Sequence, residues 1–501
     1  MLASIFTGQG VSIITQLLVP PFFLHRYAAG VEVYGEWIAL SATVTYLNTL
    51  NTGIQTYTAN QMAIDYNRGD LAAAKSVQAS ALRLLLLVIA VLGTAGTSVL
   101  FMPIGRWLGL SHLGAQGASL TLYLLILQIL FGMLYALLVN SYMVVGKAHR
   151  GANFASAQRL TSVLGLAGCV WFRSPFPILA LAQLSSIILF TLVVLTDLRR
   201  TEPILLPSLR YGSWKQVRAI LRPSGHFGLL TLSGFLTWQG PILLIQKVLG
   251  PSSVAVFSLS RVVFAMGRQG LAIISFSIGP EITQLIGKRS WLQLKRLYDL
   301  SERVVLLLIP VFSVGVLLLS PFLFTVWLHK RTLYEPSLCF MMALISAVMG
   351  IKEHKCQFQS SSNEHEKISR FTLVVYALML IISGFLIKPF GVLSLTFVWL
   401  AAEVAQTVYI LRLNIKLFPR EVKISSGPVV RLAFALVIAF AIAAYPAYAS
   451  IHWPLSKVVA VAVTSTLLMS TASYYLFGLD EVRHVFQSRI RRRLVPTAGQ
   501  P

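Results

Sequence analysis

Residues 254–280 read VAVFSLSRVVFAMGRQGLAIISFSIGP, an apolar stretch long enough to cross a bilayer that carries two arginines, Arg261 and Arg268. On a helix, positions seven apart share one face two turns from each other, roughly 10 Å along the axis. A charged side chain at the bilayer centre costs on the order of 3 kcal/mol even on the lenient insertion scale. Lipid is therefore a poor neighbour for the two guanidinium groups, and a wet cavity or a partner is expected beside them.

The rest of the chain supports this membrane setting. Of its 501 residues 56% are hydrophobic and 12% charged, with a mean hydropathy of +0.74, too little polar surface to cover a soluble globule. Apolar runs of roughly 17 to 25 residues number about fourteen. In the first part they run from Ser4 to Leu24, Trp37 to Ala59, Leu82 to Ile104, Leu120 to Val145, Ala152 to Phe172 and Phe176 to Leu195. The second part continues with Phe227 to Val248, Val254 to Pro280, Val304 to Trp327, Leu338 to Cys356, Phe371 to Ile387, Val392 to Leu411, Leu432 to Ala449 and Val458 to Phe477. The first run has neither a basic n-region nor a small-residue cleavage site, and reads as a retained span. Cys169, Cys339 and Cys356 make no metal or disulfide spacing, and no cofactor or metal is expected.

A net charge of +24 would suggest nucleic acid in a soluble chain, but the basic residues sit in short clusters between apolar runs. Alternate loops and the C-terminal tail hold about 31 of the 41 Lys and Arg residues, Lys352 and Lys355 among them. The opposite loops hold about seven, and about three (Lys247, Arg261, Arg268) are intramembrane. The positive-inside rule makes the dense set cytoplasmic, with both termini inside, which requires an even number of spans. The last arginines, Arg489 and Arg491 to Arg493, read as a topology anchor that also attracts anionic headgroups.

Compared with itself at an offset of 220, the chain pairs Gly8 with Gly228, Pro21 with Pro241, Gly30 with Gly250 and Trp37 with Phe257. PFFLHRYAAGVEVYGEWIAL (21–40) and PILLIQKVLGPSSVAVFSLS (241–260) thus read as two copies of one helical hairpin. The expected architecture is an all-α polytopic membrane protein: two six-helix bundles in like orientation around a central cavity, plus two C-terminal helices. The bundles would span 1–198 and 223–412, joined by a basic cytoplasmic linker at 199–222; a linker and the two extra helices follow at 413–478, then a basic cytoplasmic tail at 479–501. The same offset sets Arg261 against Ser41 and Arg268 against Asn48, so one half carries a neutral polar stripe where the other carries a cationic one.

The segments YGEWIALSATVTYLNTLNTGIQTYTANQMA (34–63) and RGDLAAAKSVQASALRLLLL (68–87) resemble the polysaccharide-transport branch of the multidrug/oligosaccharidyl-lipid/polysaccharide exporter superfamily, which includes O-antigen and exopolysaccharide flippases. The family's Tyr-Gly-x-Trp turn is matched by Tyr34, Gly35 and Trp37. Its Leu-Asp-Leu-Gly-like element is matched by Leu50 to Gly53, and its Gly-Asp with following alanines by Gly69, Asp70 and Ala72 to Ala74. A degraded second-half pattern survives as Leu249, Gly250, Ala255 and Phe257. Asn51 and Pro241 stand where the family often has an acid, so the resemblance does not extend to those carboxylates. It implies a transporter, not an enzyme, in the bacterial cytoplasmic (inner) membrane. By alternating access it would move a polyprenyl-diphosphate-linked oligosaccharide to the outer leaflet for exopolysaccharide, capsule or O-antigen assembly. Its partners would be membrane lipids and other polysaccharide-assembly membrane proteins, with no nucleic acid.

A diphosphate crossing a low-dielectric region calls for arginine's always-charged fork, which makes Arg261 and Arg268 the candidate anion site. Glu403, alone in the twelfth span, is the candidate for ion coupling, or for charge compensation of an arginine. Ser41, Asn48, Asn51 and Gln55 are candidate sugar contacts, with interhelical bonding as their alternative. Two other functions stay open. A membrane polysaccharide polymerase or ligase would need an interfacial carboxylate or His cluster that this sequence does not assemble. A multidrug cation antiporter on the same fold would need acids where these arginines stand.

Overall fold

The computed structural model describes residues 2–112, 115–361, 365–419 and 421–477, and among these the regular structure is helical throughout, with no strand. In chain order the helices are α1 (Leu2–Arg26), α2 (Gly30–Thr45), α3 (Leu47–Asn67), α4 (Leu71–Thr97), α5 (Ile104–Leu108), α6 (Ala115–Val144), α7 (Ala148–Trp171), α8 (Phe176–Thr201) and α9 (Trp214–Trp238). There follow α10 (Gly240–Leu249), α11 (Pro251–Ser277), α12 (Gly279–Gly287), α13 (Trp291–Leu328), α14 (Pro336–Ser361), α15 (His365–Leu417), α16 (Gly427–Ala449) and α17 (Leu455–Phe477). Eight are long and apolar enough by length and composition to cross a membrane. The 53-residue α15 counts as one of them, yet Gly391, at φ 68 and ψ −164, breaks it two residues after Pro389. Its two arms match the separate runs expected from Phe371 and from Val392.

The chain divides into two compact units. One comprises Met1–Leu259 with Thr372–Val392, the other Ser260–Phe371 with Leu393–Pro501. The first unit explains the sequence motifs it contains. Gly69 takes φ 82, a conformation that costs glycine nothing, and Asp70 then caps α4 by accepting from the Ala73 amide at 2.8 Å. Tyr34 and Trp37, both 3% exposed, lie against Phe23 with centroids 5.7 and 6.1 Å away. Between them Gly35 lets the backbone approach Pro251, whose carbonyl oxygen would lie 1.9 Å from any added Cβ. Glu36, fully buried, accepts from the Ser111 and His112 amides at 2.6 and 3.0 Å and ties that turn to α2.

Both hairpin copies are present in this unit: α1 turns into α2 before Gly30, and α10 turns into α11 at Gly250, where φ is 86. In the second unit, α13 packs against α14, α16 and α17. Arg331 fastens the end of α13 to the turn after α16, donating to the Ser450 and Trp453 carbonyls, the latter at 2.6 Å.

Candidate functional site

The polar centre of the second unit is the stretch Lys352, Glu353, His354 and Lys355 on α14. Successive residues of a helix turn by about 100°, so four adjacent polar side chains point to different neighbours. Lys352 reaches α15, where its Nζ lies 2.5 Å from Glu403 Oε2. Glu353 meets Arg268 of α11, whose Nη1 donates to Glu353 Oε1. His354 and Lys355 both turn to α13: His354 Nε2 is 2.9 Å from Ser301 Oγ, and Lys355 Nζ donates to Glu302 Oε1. One helix thereby ties three others together through charge.

The three pairs differ in their access to solvent, and that difference decides what each can do. Lys355 and Glu302 are sealed, their side chains 1% and 2% exposed. The lysine Nζ also lies 3.8 Å from the Tyr298 ring centroid. Asn414 accepts from Gln359 at 2.7 Å and donates to the Lys355 carbonyl at 3.0 Å, closing that end. Lys352 and Glu403 are nearly as enclosed, at 11% and 0%, and Trp399 Nε1 donates to the other Glu403 oxygen at 3.0 Å. Arg268 and Glu353 are the open pair, at 17% and 27%.

Arg261 lies half-buried on α11, and Arg268 lies two turns further on the same face. The carboxylate that meets Arg268 is Glu353, whereas Glu403, the partner expected from the sequence, holds Lys352. Charge counting assigns Lys352 and Lys355 to the cytoplasmic loops, whereas they are 9% and 0% exposed within α14. Both lie inside the apolar run that ends at Cys356, and α14 continues to Ser361, so they belong to the helix and not to a loop after it. A signal was available in the aromatic Phe358 beyond the charges and in the stop-like serines only after it. Ser41 and Gln55 belong to the first unit. Ser41 is half-buried, its carbonyl accepting from Thr45 at 2.8 Å. The buried Gln55 amide donates to the Met133 carbonyl at 2.9 Å and accepts from Asn140 at 3.3 Å. The Asn48 and Asn51 side chains lie outside the described residues.

No protein-family model matches the chain, and no curated protein matches it. Solved structures do. It is similar to the lipid II flippase MurJ in an inward closed conformation, with TM-score 0.69 at 12% identity over 94% of this chain and 98% of that one. It is also similar to an inward-facing multidrug resistance MATE family transporter of the MOP superfamily, with TM-score 0.63 at 14% identity over 81% of this chain and 94% of that one. A third is a MOP superfamily transporter from Pyrococcus furiosus, described by the reverse polarity of its binding pocket, with TM-score 0.51 at 15% identity over 82% and 92%. The fold is therefore that of the MOP superfamily transporters.

Proposed function

We propose that the protein is a transporter that moves a polyprenyl-diphosphate-linked oligosaccharide from the cytoplasmic to the outer leaflet of a bacterial inner membrane, for exopolysaccharide, capsule or O-antigen assembly. The observation that carries the reading is the open arginine pair site on α11. Arg268 is the most exposed cation among the three ion pairs of α14, and Arg261 precedes it by two turns on the same face. A diphosphate offers the multiple anionic oxygens that a guanidinium fork binds best.

Cationic cargo fits this site poorly, since arginine would oppose it. The likeness to the lipid II flippase, covering 94% of the chain, supports lipid-linked cargo. The uncovered 6% is about 30 residues, fewer than the 46 that α16 and α17 contribute at 23 each. At least part of that C-terminal pair therefore lies within the likeness. Glu403 serves charge compensation in this reading, with Lys352 as its partner. Domain limits at 198 and 223 and cytoplasmic termini complete the proposal.

The test is deletion of the gene in its native host, followed by leaflet assignment of the lipid-linked repeat unit. Accumulation on the cytoplasmic side, rescued by the wild-type chain and not by Arg261→Gln/Arg268→Gln, is expected. Normal external delivery with no redundant carrier would end the reading.

A further inference from the structure

We propose that an anion bound at Arg268 displaces the carboxylate of Glu353, and that the displaced carboxylate takes up a proton, so that anion binding and protonation of Glu353 are one linked event. The inference rests on Arg268 as an anion site. It adds a counter-charge to that site and assigns it to a residue other than Glu403.

Competition comes first. A carboxylate and a phosphate oxygen use the same guanidinium donors in the same geometry, so an arriving anion and Glu353 contend for Arg268 Nη1. Of the three ion pairs only this one is open enough for exchange, at 17% and 27% exposure against 1% and 2% for Lys355 with Glu302. Lys352 with Glu403 is closed on its acidic side, at 0%.

The fate of the released carboxylate follows from its surroundings. Glu353 Oε2 is buried with no hydrogen-bond partner, so Oε1 carries the bond to Arg268. Among the described residues, the charged groups facing Glu353 are Arg268 from α11, Lys352 on its own helix and Glu403 from α15; the Cys356 thiol lies one turn along. Lys352 is held by Glu403 at 2.5 Å, and Glu403 opposes a second negative charge. With Arg268 given to the anion, ionised Glu353 would be a poorly compensated carboxylate beside a like charge, the setting that favours the neutral form. It takes a proton from water at the open face and becomes a carboxylic acid. When the anion leaves, the proton returns to water and the pair with Arg268 re-forms. The site thus loads an anion and a proton together, cancelling one charge of the cargo.

The experiment uses the full chain in lipid nanodiscs with geranyl sulfate, a single-charge probe that does not titrate between about pH 5 and 9. Calorimetry in buffers of different ionisation heat reads the protons taken up per anion bound. Wild type is expected to take up about one proton in the linked range, with affinity falling by up to roughly tenfold per pH unit as pH rises. Glu353→Gln, a neutral mimic of the displaced state, is expected to bind more tightly and with no pH slope. No proton uptake by wild type, or an unchanged slope in Glu353→Gln, overturns the inference while loss of binding in Arg268→Gln keeps the anion site. No binding by wild type, or full binding by Arg268→Gln, removes the anion site and the inference with it.

Discussion

Ser252 Oγ donates to Glu32 Oε1 at 3.0 Å across a separation of 220 residues. That separation equals the offset at which the two hairpins of the sequence repeat. Residues that are equivalent by the repeat and also touch each other must lie beside the axis relating the two hairpins, here at the N-terminal ends of α2 and α11. In a chain whose three cysteines are replaced by alanine, a Glu32→Cys/Ser252→Cys pair is expected to cross-link on mild oxidation. A protease site placed in 199–222 would report it, since the two fragments would stay joined until reduced.

Gly35 gives a sharper test of the same contact. An added Cβ would lie 1.9 Å from the Pro251 carbonyl oxygen, a backbone atom that cannot rotate away. Gly35→Ala should destabilise the protein by about 1–3 kcal/mol in thermal unfolding, as overpacking does. Gly93→Ala is the control: its nearest neighbour is Leu130 Cδ1 at 3.8 Å, and inside a helix the change should be neutral or stabilising by about 0.5–1 kcal/mol.

Lys355 and Glu302 are sealed together, so removing one charge leaves the other stranded. Lys355→Met should cost about 3–5 kcal/mol, and Lys355→Met/Glu302→Gln should recover a large part of it. Equal losses in single and double variants, read by thermal unfolding in detergent, would show that the pair is not the source.

Gln55 sits on the neutral stripe of the first unit, but its amide is already used by Met133 and Asn140. Gln55→Leu should therefore lower stability by about 1–3 kcal/mol, the cost of a buried unsatisfied group, and leave glycan selectivity unchanged. A selectivity change at wild-type stability would return Gln55 to the list of sugar contacts.

These residues show what could be read before the structure. Apolar length exposed the spans, because bilayer thickness sets a single scale, and the turn at Pro389 and Gly391 was legible as a gap between two runs. Tyr34, Gly35, Trp37, Gly69 and Asp70 were found as motifs because each meets a local demand of packing, close approach or capping. Arg261 and Arg268 stood out against an apolar background. Their neighbours did not, because Glu302, Lys352, Glu353 and Lys355 all lie near the ends of apolar runs, where charge counting assigns them to loops. Which carboxylate meets which base depends on helix rotation and on three helices distant in sequence, and neither is encoded in hydropathy.

The row of charges on α14 bears on how the chain enters the membrane in the first place. At mean hydropathy 1.4 it is the least apolar of the eight candidate spans, and each charge at mid-bilayer opposes insertion by about 3 kcal/mol. Its cost is lowered only by helices that carry the opposite charge. Arg268 and Glu302 are synthesised before Glu353 and Lys355, whereas Glu403 comes after Lys352. Replacing Glu302 by leucine should accordingly leave α14 untranslocated in a glycosylation-mapped chain. Biogenesis must hold α14 beside its predecessors in the insertion machinery until the second arm of α15 has emerged.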